Sequence, residues 1–412
     1  MLPAGSPLSA WLTWLETLHP REIELGLERV QDVLSRLPLQ RPDHVFLIAG
    51  TNGKGSSVAM TDALLRAAGL HTGVYTSPHI IDYNERIAVD GTYASDSEIV
   101  AAFEKVEAAR GGVSLTYFEY GTLAALVIFS AADLDAWVLE VGMGGRLDAT
   151  NAIEPTAALI TNVALDHCDW LGEDIETNAA EKAGVMRRDI PVVYGNIDVP
   201  GAIVAQAEKI GAKLLLRGRD FALEGVPQPG LAGEFQIGNA AAVLAMLGAS
   251  GIAGATASEL VAAVLPQVQL TGRGQRIEQD GTEWLLDVAH NPAAAEALAD
   301  MLGKGQQKGA TTAIIGMLDD KDVEGVVVPL GEHVDRWIAV TADSYRALPA
   351  AELARRLANA CNRPCLVADS IEQALDSARR DAGINDRILV TGSFYLVGPV
   401  LNQLRLYSRP QK

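Results

Sequence analysis

The sequence has few cysteines and fewer basic than acidic residues, and each shortage excludes a class of protein. Three cysteines in 412 residues cannot make a disulfide framework, and the pair Cys361 and Cys365 has no second pair to complete a zinc site. A net charge of −19 argues against a nucleic-acid surface, which needs clustered Lys and Arg. Neither a signal segment nor a bilayer-length apolar run is apparent. We therefore expect a cytoplasmic protein that binds neither nucleic acid nor membrane.

The chain is rich instead in aliphatic side chains and glycine. Apolar residues make up 49%, and the length predicts two domains. From residue 44 onward, short strands that are apolar on both faces alternate with helical stretches, which indicates a parallel sheet covered on both sides. The alternation loosens over 217–235, and a polar, glycine-rich segment at about 268–282 is the predicted linker. We expect one domain over 1–270 and another over 271–412.

One glycine-rich turn carries the clearest chemical signal. "IAGTNGKGSSV" (48–58) departs from the standard phosphate-loop pattern, because Gly55 separates Lys54 from Ser56. It still supplies an apolar strand, glycine-freed amides, a lysine and a helix start, with the lysine expected to be exposed. A turn without a ligand is the alternative. The predicted fold class is α/β, a P-loop-containing parallel-sheet N-terminal domain with a smaller Rossmann-like α/β C-terminal domain.

Ionisable residues follow neighbouring strands near this loop. Glu140 ends one apolar strand, and Asp166 and His167 are predicted to end the next, at the sheet edge where ligands bind in open α/β folds. The arrangement suits a divalent ion that bridges nucleotide phosphates, and an ordinary core or surface histidine is the alternative. Lys182 falls inside a predicted helix, where its acidic neighbours indicate a solvated ion-pair lysine.

The C-terminal half repeats this layout twice. A strand in "LLDVAHNP" ends on Asp287 and His290, and Gly392 and Ser393 occupy another strand-to-helix turn. Such polar groups can simply cap their helices. Alternatively, the two turns together form a pocket for an amino acid or a phosphate.

Ten sequence blocks, in order along the chain, resemble one enzyme family. They resemble the Mur ligase superfamily of ATP-dependent amide ligases, and within it the folate branch of dihydrofolate synthases and folylpolyglutamate synthases. The "GTNGKGS" spelling is that branch's own variant of the phosphate loop. The blocks are "LGLERV" (25–30), "GTNGKGS" (50–56), "YTSPH" (75–79), "LTYFEYGT" (115–122), "LEVGMGGRLDATN" (139–151), "LDHCDWLG" (165–172), "EKAG" (181–184), "DVAHNP" (287–292), "IGMLDDKD" (315–322) and "TGSF" (391–394).

The resemblance implies an ADP-forming ligase that joins L-glutamate to dihydropteroate and to reduced folates through an acyl phosphate. ATP is then a substrate, and two magnesium ions are the expected cofactor. We expect the protein to be a monomer. The magnesium ligands implied by the resemblance are Ser77, Glu140, His167 and a carbamylated Lys182.

The resemblance also implies roles for residues along the whole chain. Lys54, Lys182 and His290 are the implied catalytic residues, with His290 and Ser393 in a glutamate pocket. For ATP the implied residues are Thr51, Asn52, Gly53, Lys54, Gly55, Ser56, Asn239, Arg273 and Asp287. For the pterin acid they are Glu24, Leu25, Gly26, Leu27, Thr116, Tyr117, Phe118, Glu119, Leu147, Asp148 and Ala149. Phe118 can stack on the ring and Asp148 can accept its hydrogen bonds; for both side chains a packing or capping role is the alternative.

Two rival functions stay open on sequence alone. One is a Mur ligase acting on a cell-wall nucleotide precursor, against which the blocks "LGLERV" and "LTYFEYGT" argue. The other is a P-loop NTPase switch whose nucleotide state controls a partner. A second α/β domain with its own ligand turns argues against that switch.

Overall fold

The computed structural model describes residue 3 and residues 5–166, 168–279, 281–304, 309–363 and 365–407, without the side chains of residues 168, 169 and 253. It divides into two compact units. The first contains the described residues up to Pro227 together with Ile237–Val268, and the second contains Gln228–Gln236 and the described residues from Gln269 onward.

The first unit is built on an eight-stranded sheet in the order β4-β3-β2-β5-β1-β6-β7-β8. All neighbours are parallel except the pairs β2–β3 and β3–β4. The strands are β1 (His44–Ala49), β2 (Thr72–Tyr75), β3 (Ile87–Val89), β4 (Thr92–Tyr93), β5 (Ala136–Glu140), β6 (Ala157–Ile160), β7 (Pro191–Tyr194) and β8 (Lys213–Leu216).

Helices precede, connect and follow these strands. They are α1 (Leu8–Leu18), α2 (Glu28–Leu34), α3 (Lys54–Ala67), α4 (Asp96–Arg110), α5 (Tyr117–Ser130), α6 (Cys168–Leu171), α7 (Ile175–Ala183), α8 (Gly201–Ile210), α9 (Phe235–Ala249) and α10 (Ser258–Val264).

The central strand β1 shows why this sheet is parallel and covered on both faces. Its residues Val45 to Ala49 are all fully buried, as expected for an apolar strand with helices on either side. It pairs with β5 on one side and β6 on the other. The carboxyl ends of β5, β1 and β6 therefore lie side by side, and this edge carries the first candidate site.

The second unit holds a six-stranded sheet in the order β13-β12-β11-β14-β10-β9. Only the β9–β10 pair is antiparallel. Its elements are β9 (Gln275–Gln279), β10 (Thr282–Leu286), α11 (Pro292–Lys304), β11 (Thr311–Ile315), α12 (Val323–Gly331), β12 (Arg336–Val340), α13 (Ala350–Cys361), β13 (Cys365–Ala368), α14 (Ile371–Asp381), β14 (Arg387–Thr391) and α15 (Phe394–Gln403).

The predicted α/β class, with a larger parallel-rich sheet followed by a second smaller α/β sheet, is confirmed. The polar segment expected to be a linker differs in one respect, because it contains β9. There Ile277 pairs with Trp284 of β10 and alternates with exposed polar neighbours. Within the described residues, no helix has the length and apolar character needed to cross a membrane.

Candidate active site

The turn between β1 and α3 requires glycine at two positions. Gly50 has a φ of 144°, and a Cβ there would lie 1.8 Å from Thr161 Oγ1. Gly53 has a φ of 83°, and a Cβ there would lie 2.9 Å from Asn239 Nδ2. These glycines let the end of β6 and the side chain of Asn239 approach the turn closely. Asn239 is thus placed at the loop, as its predicted role requires.

Hydrogen bonds from the segment after β6 fix the loop backbone. Thr51 Oγ1 donates to Ala164 O at 3.0 Å, and Asn52 N donates to Asn162 Oδ1 at 3.0 Å. Thr161 Oγ1 donates to Asn52 O at 2.6 Å. These bonds hold the loop backbone against the segment after β6, and the amino end of α3 provides the partial positive charge that favours a phosphate there.

Lys54 is the first residue of α3 and is partly buried, so the expectation that it is exposed in the loop is wrong. Its Nζ donates to Gly50 O at 3.0 Å and to Thr51 O at 3.2 Å. The ammonium group therefore folds back over the loop that it follows. Gly55 and Ser56 form the next part of the helix, with Ser56 buried.

Glu140 and Ser77, two predicted magnesium ligands, lie together. Glu140 ends β5, Ser77 follows β2, and these strands are parallel neighbours. The backbone N–H of Ser77 donates to Glu140 Oε2 at 3.1 Å, and the carboxylate is buried. A buried carboxylate beside a hydroxyl is a hard-oxygen donor set that suits Mg²⁺.

Lys182 lies in α7 and is buried, with 2% of its surface exposed, so the solvated ion-pair interpretation is wrong. Burial lowers its pKa to about 7, helped by the positive charge of Lys54 and opposed by the carboxylates of Asp166 and Glu181. Lys182 and Lys54 therefore belong to one electrostatic cluster. At neutral pH a large share of the Lys182 amine is uncharged and nucleophilic.

A glycine-rich turn after β5 lets α7 approach the sheet. A Cβ on Gly145 would lie 2.9 Å from Glu181 O and 3.2 Å from Lys182 Cα. Arg146 holds the contact in place, since its N–H donates to Glu181 O at 2.8 Å and its Nη2 donates to the Glu181 carboxylate at 2.8 Å. These contacts place Lys182 on the β5 side of the phosphate loop.

The strand before Asp166 is shorter than predicted. β6 ends at Ile160, so Asp166 lies six residues beyond the strand rather than at its end. Its charge still acts on Lys182. His167 lies outside the described residues. Among those described, no three His, Cys, Asp or Glu side chains form a ready metal cage.

Three segments are expected to contact the pterin acid: 24–27, 116–119 and 147–149. These pterin blocks meet in the structure. Gly26 N donates to Leu147 O at 3.2 Å, which joins the first block to the third. Arg29 donates to Glu24 Oε1 at 2.8 Å and to Glu119 Oε1 at 2.8 Å, which joins the first block to the second. Sequence reasoning did not single out Arg29. No local signal identifies it, because Glu119 lies 90 positions away.

Several residues of these blocks have structural duties of their own. Thr116 caps α5 through a capping box with Glu119. Asp148 accepts from Met143 N at 2.9 Å and from Thr150 N at 3.0 Å, and burial raises its pKa. Its carboxylate is therefore occupied by the local turn. Such a role was the alternative to its accepting hydrogen bonds from a ligand.

The remaining residues of the blocks differ in exposure. Phe118 is partly exposed and its ring lies over Gly142, where a Cβ would come within 2.6 Å of the ring. Tyr117 stacks with the guanidinium of Arg86, at 5.4 Å from the ring centroid. Leu25 and Leu27 are also partly exposed, whereas Ala149 is buried. Phe118 therefore places a partly exposed aromatic ring at the point where the blocks meet.

In the second unit, Arg273 and His290 gather around Phe394. The Arg273 guanidinium lies 4.8 Å from the Phe394 ring centroid, and the His290 ring lies 5.9 Å from it. His290 Nδ1 is 2.8 Å from Val288 O, so Nδ1 carries the proton and Nε2 is an acceptor in the neutral ring. Burial raises the pKa of Asp287, and the charge of Arg273 opposes this.

The two predicted ligand turns of this unit are neighbours. Thr391 Oγ1 donates to Ala289 O at 3.4 Å, which links the turn after β14 to the turn after β10. Ser393 is buried and caps α15, its Oγ accepting from Tyr395 N at 3.1 Å. Asn291 caps α11, accepting from Ala294 N at 2.9 Å. The capping interpretation is thus correct for both side chains, and the Ser393 hydroxyl keeps its own proton to donate.

Comparison with known proteins assigns the class and then the family. Residues 48–220 match the Mur ligase middle domain, and residues 272–394 match the Mur ligase glutamate ligase domain. Together with the phosphate loop, these matches define a Mur ligase-type protein.

Full-length relatives narrow this class. The dihydrofolate synthase/folylpolyglutamate synthase of Escherichia coli is 42% identical, covering 97% of this chain and 96% of its own. That of Haemophilus influenzae is 37% identical, covering 96% and 97%. The chain belongs to the dihydrofolate synthase/folylpolyglutamate synthase family, as the sequence blocks predicted.

Solved structures support the same family assignment. E. coli FolC in complex with DHPP and ADP superposes with a TM-score of 0.93 at 40% identity, covering 98% of this chain and 99% of that chain. A bifunctional folylpolyglutamate synthase/dihydrofolate synthase with Mn, AMPPNP and L-glutamate bound gives 0.91 at 40% identity, covering 98% and 99%.

Proposed function

We propose that the protein is an ATP-dependent amide ligase. It joins L-glutamate to dihydropteroate, giving dihydrofolate, and to reduced folates, giving folylpolyglutamates, with release of ADP and phosphate. One observation carries this proposal: a rigid phosphate loop, the Glu140–Ser77 pair and the buried Lys182 share one sheet edge, next to the place where the three pterin blocks meet. That edge brings a nucleotide phosphate and a carboxylic acid together.

The first chemical step is phosphoryl transfer to the acid. A carboxylate oxygen of the pterin acid attacks the γ-phosphorus of ATP, the bond to the β–γ bridging oxygen breaks, and ADP and an acyl phosphate result. The loop residues Thr51, Asn52 and Gly53 and the ammonium of Lys54 hold the phosphates and offset the charge that develops. Gly55 and Ser56 continue this cradle into α3, and Asn239 contacts it from α9.

Magnesium would be held by Glu140, Ser77 and His167, with a second ion on a carbamylated Lys182. When bound, the ions neutralise charge on the transferring phosphate. Carbamylation needs a neutral amine, which the lowered pKa of Lys182 provides. It also converts a repelling cation into an oxygen donor, because the carbamate is an anion.

The pterin acid is proposed to bind where the three blocks meet. Phe118 offers a partly exposed ring on which a pterin can stack. Arg29 fixes the blocks relative to one another through Glu24 and Glu119, and Asp148 shapes the turn that carries Leu147 and Ala149. Leu25, Gly26, Leu27, Thr116 and Tyr117 complete the proposed contact set.

The second step forms the amide. The neutral amine of L-glutamate attacks the acyl carbon, a tetrahedral intermediate forms, and phosphate leaves as the nitrogen loses a proton. We propose that His290 Nε2 accepts this proton and that the Ser393 hydroxyl donates to a glutamate carboxylate. Arg273 and Asp287 are proposed to contact ATP from the C-terminal domain.

We further propose a division into an ATP- and pterin-binding domain over 1–270 and a glutamate-ligase domain over 271–412, joined at about 268–282. The protein is proposed to act in the cytoplasm, where ATP and L-glutamate are both available. Fractionation of cells that produce the tagged protein tests the location.

Product formation with two acids tests the activity. Purified protein with ATP, magnesium and L-glutamate is expected to form dihydrofolate from dihydropteroate and a diglutamate from tetrahydrofolate, each identified by mass spectrometry. Phe118→Ala should weaken both reactions together by about tenfold, the scale of one lost stacking contact. Product from the reduced folate alone would show a chain-extending synthase without the dihydropteroate reaction.

A further inference from the structure

Arg217, directly after β8, is a cation with no counter-charge among the residues that the structure describes. It is partly buried, and its Nη1 lies 3.5 Å from Gly195 O, the limit of a hydrogen bond. A Cβ on Gly238 of α9 would lie 2.8 Å from the same nitrogen. The guanidinium therefore rests against a side-chain-free position of α9, one residue before Asn239.

A short chain of contacts connects Arg217 to the phosphate loop. A Cβ on Gly195 would lie 2.8 Å from Thr161 O, and the Thr161 hydroxyl donates to Asn52 O in the loop. The strands β1, β6, β7 and β8 are consecutive neighbours in the sheet. Arg217 thus stands at the same sheet edge as the loop, three strands away, or about 14 Å at the usual strand spacing.

The arrangement of the site gives the nucleotide a direction. Glu140 and Ser77 lie at the ends of β5 and β2, on one side of β1, and Lys182 packs against Gly145 on that same side. The γ-phosphate must face this side, because the acid and the proposed ligands Glu140, Ser77 and Lys182 are there. The adenosine half must then extend to the other side, over the ends of β6, β7 and β8.

Among the two residues that directly follow each of these three strands, Arg217 is the one ionisable group. The two residues after each strand are Thr161 and Asn162, Gly195 and Asn196, and Arg217 and Gly218. A planar guanidinium is a good partner for a purine ring, both by stacking and by donating to ring nitrogens. Glycine at 238 leaves room for it.

We propose that Arg217 binds the adenosine half of ATP, with its guanidinium against the purine. The proposal rests on the proposed function, because the position of the metal and the acid sets the direction of the nucleotide. It assigns Arg217 to substrate binding and gives it no part in phosphoryl transfer. Its removal should therefore affect nucleotide affinity and leave the chemical step unchanged.

Calorimetric titration with ADP, AMP and adenosine tests this on the wild type, Arg217→Ala and Arg217→Gln. The variants are expected to bind all three ligands about tenfold more weakly, the scale of one cation–π contact. KM for ATP should rise while kcat and KM for the acid stay unchanged. Arg219→Ala is the matched control, since Arg219 is exposed and pairs with Asp220, and its affinities should equal those of the wild type.

Two results would overturn the proposal. One is an ADP affinity within about twofold of the wild type in a folded Arg217 variant. The other is a loss for ADP without a loss for AMP and adenosine, which would place Arg217 on the phosphates. If the alanine variant does not fold, the glutamine variant decides. A wild type that binds ADP but makes no amide contradicts the proposed function and leaves this assignment standing.

Discussion

The two sheets place polar residues at the carboxyl ends of their parallel strands, yet those residues are held in different ways. In the first sheet, long-range bonds fix the phosphate loop, such as Thr161 Oγ1 to Asn52 O across 109 positions. In the second, Thr391 Oγ1 links the two turns through Ala289 O, but the side chains of Ser393 and Asn291 bond within the first turn of their own helices. A site that is held by hydrogen bonds from residues far away in the sequence is rigid before the ligand binds. Such rigidity suits electrostatic stabilisation of phosphoryl transfer. The locally capped turns suit binding and orientation of a small amino acid.

Lys54→Ala should have the largest effect, because it removes the ammonium from the rigid site. Turnover is expected to fall by about 1,000-fold, the scale of losing one preorganised group at a developing charge. Steady-state ADP release measures it, and circular dichroism checks the fold. The control is Lys213→Ala, an exposed lysine that begins β8. Near-normal turnover in a folded Lys54→Ala protein would disprove the assignment of residues 50–56 as a phosphate-binding loop.

Lys182→Ala should lower activity by about 100-fold, the scale of disturbing a metal's ligand set, and a small added carboxylate should restore part of it. The carbamate itself can be observed by NMR with ¹³C-labelled bicarbonate. Since the pKa of Lys182 is lowered to about 7, the amine is mostly protonated below pH 7 and mostly neutral above it. The labelled signal should therefore grow from pH 6 to pH 8. An unmodified Lys182 at pH 8 in a magnesium–nucleotide complex would contradict the carbamate.

Glu140→Gln should raise the magnesium concentration needed for half-maximal activity by about tenfold. The amide oxygen can still accept from Ser77 N, so the local fold survives while the charged ligand is lost. Glu208→Gln, at an exposed position of α8, is the control. Titration of activity with magnesium provides the readout, and identical midpoints for the Glu140 variant and the wild type would disprove the metal assignment.

Ser393→Ala should have the smallest effect on activity of these four substitutions. It tests the role of the locally capped turn before α15. Loss of the cap should cost about 1 kcal/mol of unfolding free energy, and KM for glutamate should rise a few-fold. Ser393→Gly separates these two roles, because glycine at a cap costs only a few tenths of a kcal/mol. Denaturant unfolding and glutamate kinetics on both variants measure the outcome. An unchanged KM in both would reduce Ser393 to a cap alone.

The sequence predicts the first site better than its surroundings, for identifiable reasons. The strand–glycine–lysine–helix pattern of β1 and α3 is local, and so was visible. Arg29, which joins two pterin blocks, has partners that only the folded chain brings near. The burial of Lys182 could not be predicted from the local sequence either. Its acidic neighbours favour a surface position, and the glycine turn that covers it lies about 40 positions earlier in the chain.

The predicted ends of helices and strands were wrong where local composition and tertiary packing favour different structures. The strand before Asp166 ends at Ile160, although polar "TN" and apolar "VAL" continue the pattern. In the second unit the local sequence of α12 (Val323–Gly331) gives only a weak helix signal, since its three consecutive valines and Pro329 are poor helix formers. Its buried face packs in the core of the second unit, with Val323, Val326, Val327 and Leu330 inside. Tertiary burial outweighs propensity there.

The most direct test of the proposed ligase activity is to measure ADP release with each substrate omitted in turn. A ligase that activates an acid at the first sheet and captures an amine at the second needs both for turnover. We expect ADP formation with dihydropteroate and L-glutamate together, and only background ADP release when either is missing. Steady ADP release at the full rate without the acid and the amino acid would contradict it and would favour a nucleotide switch.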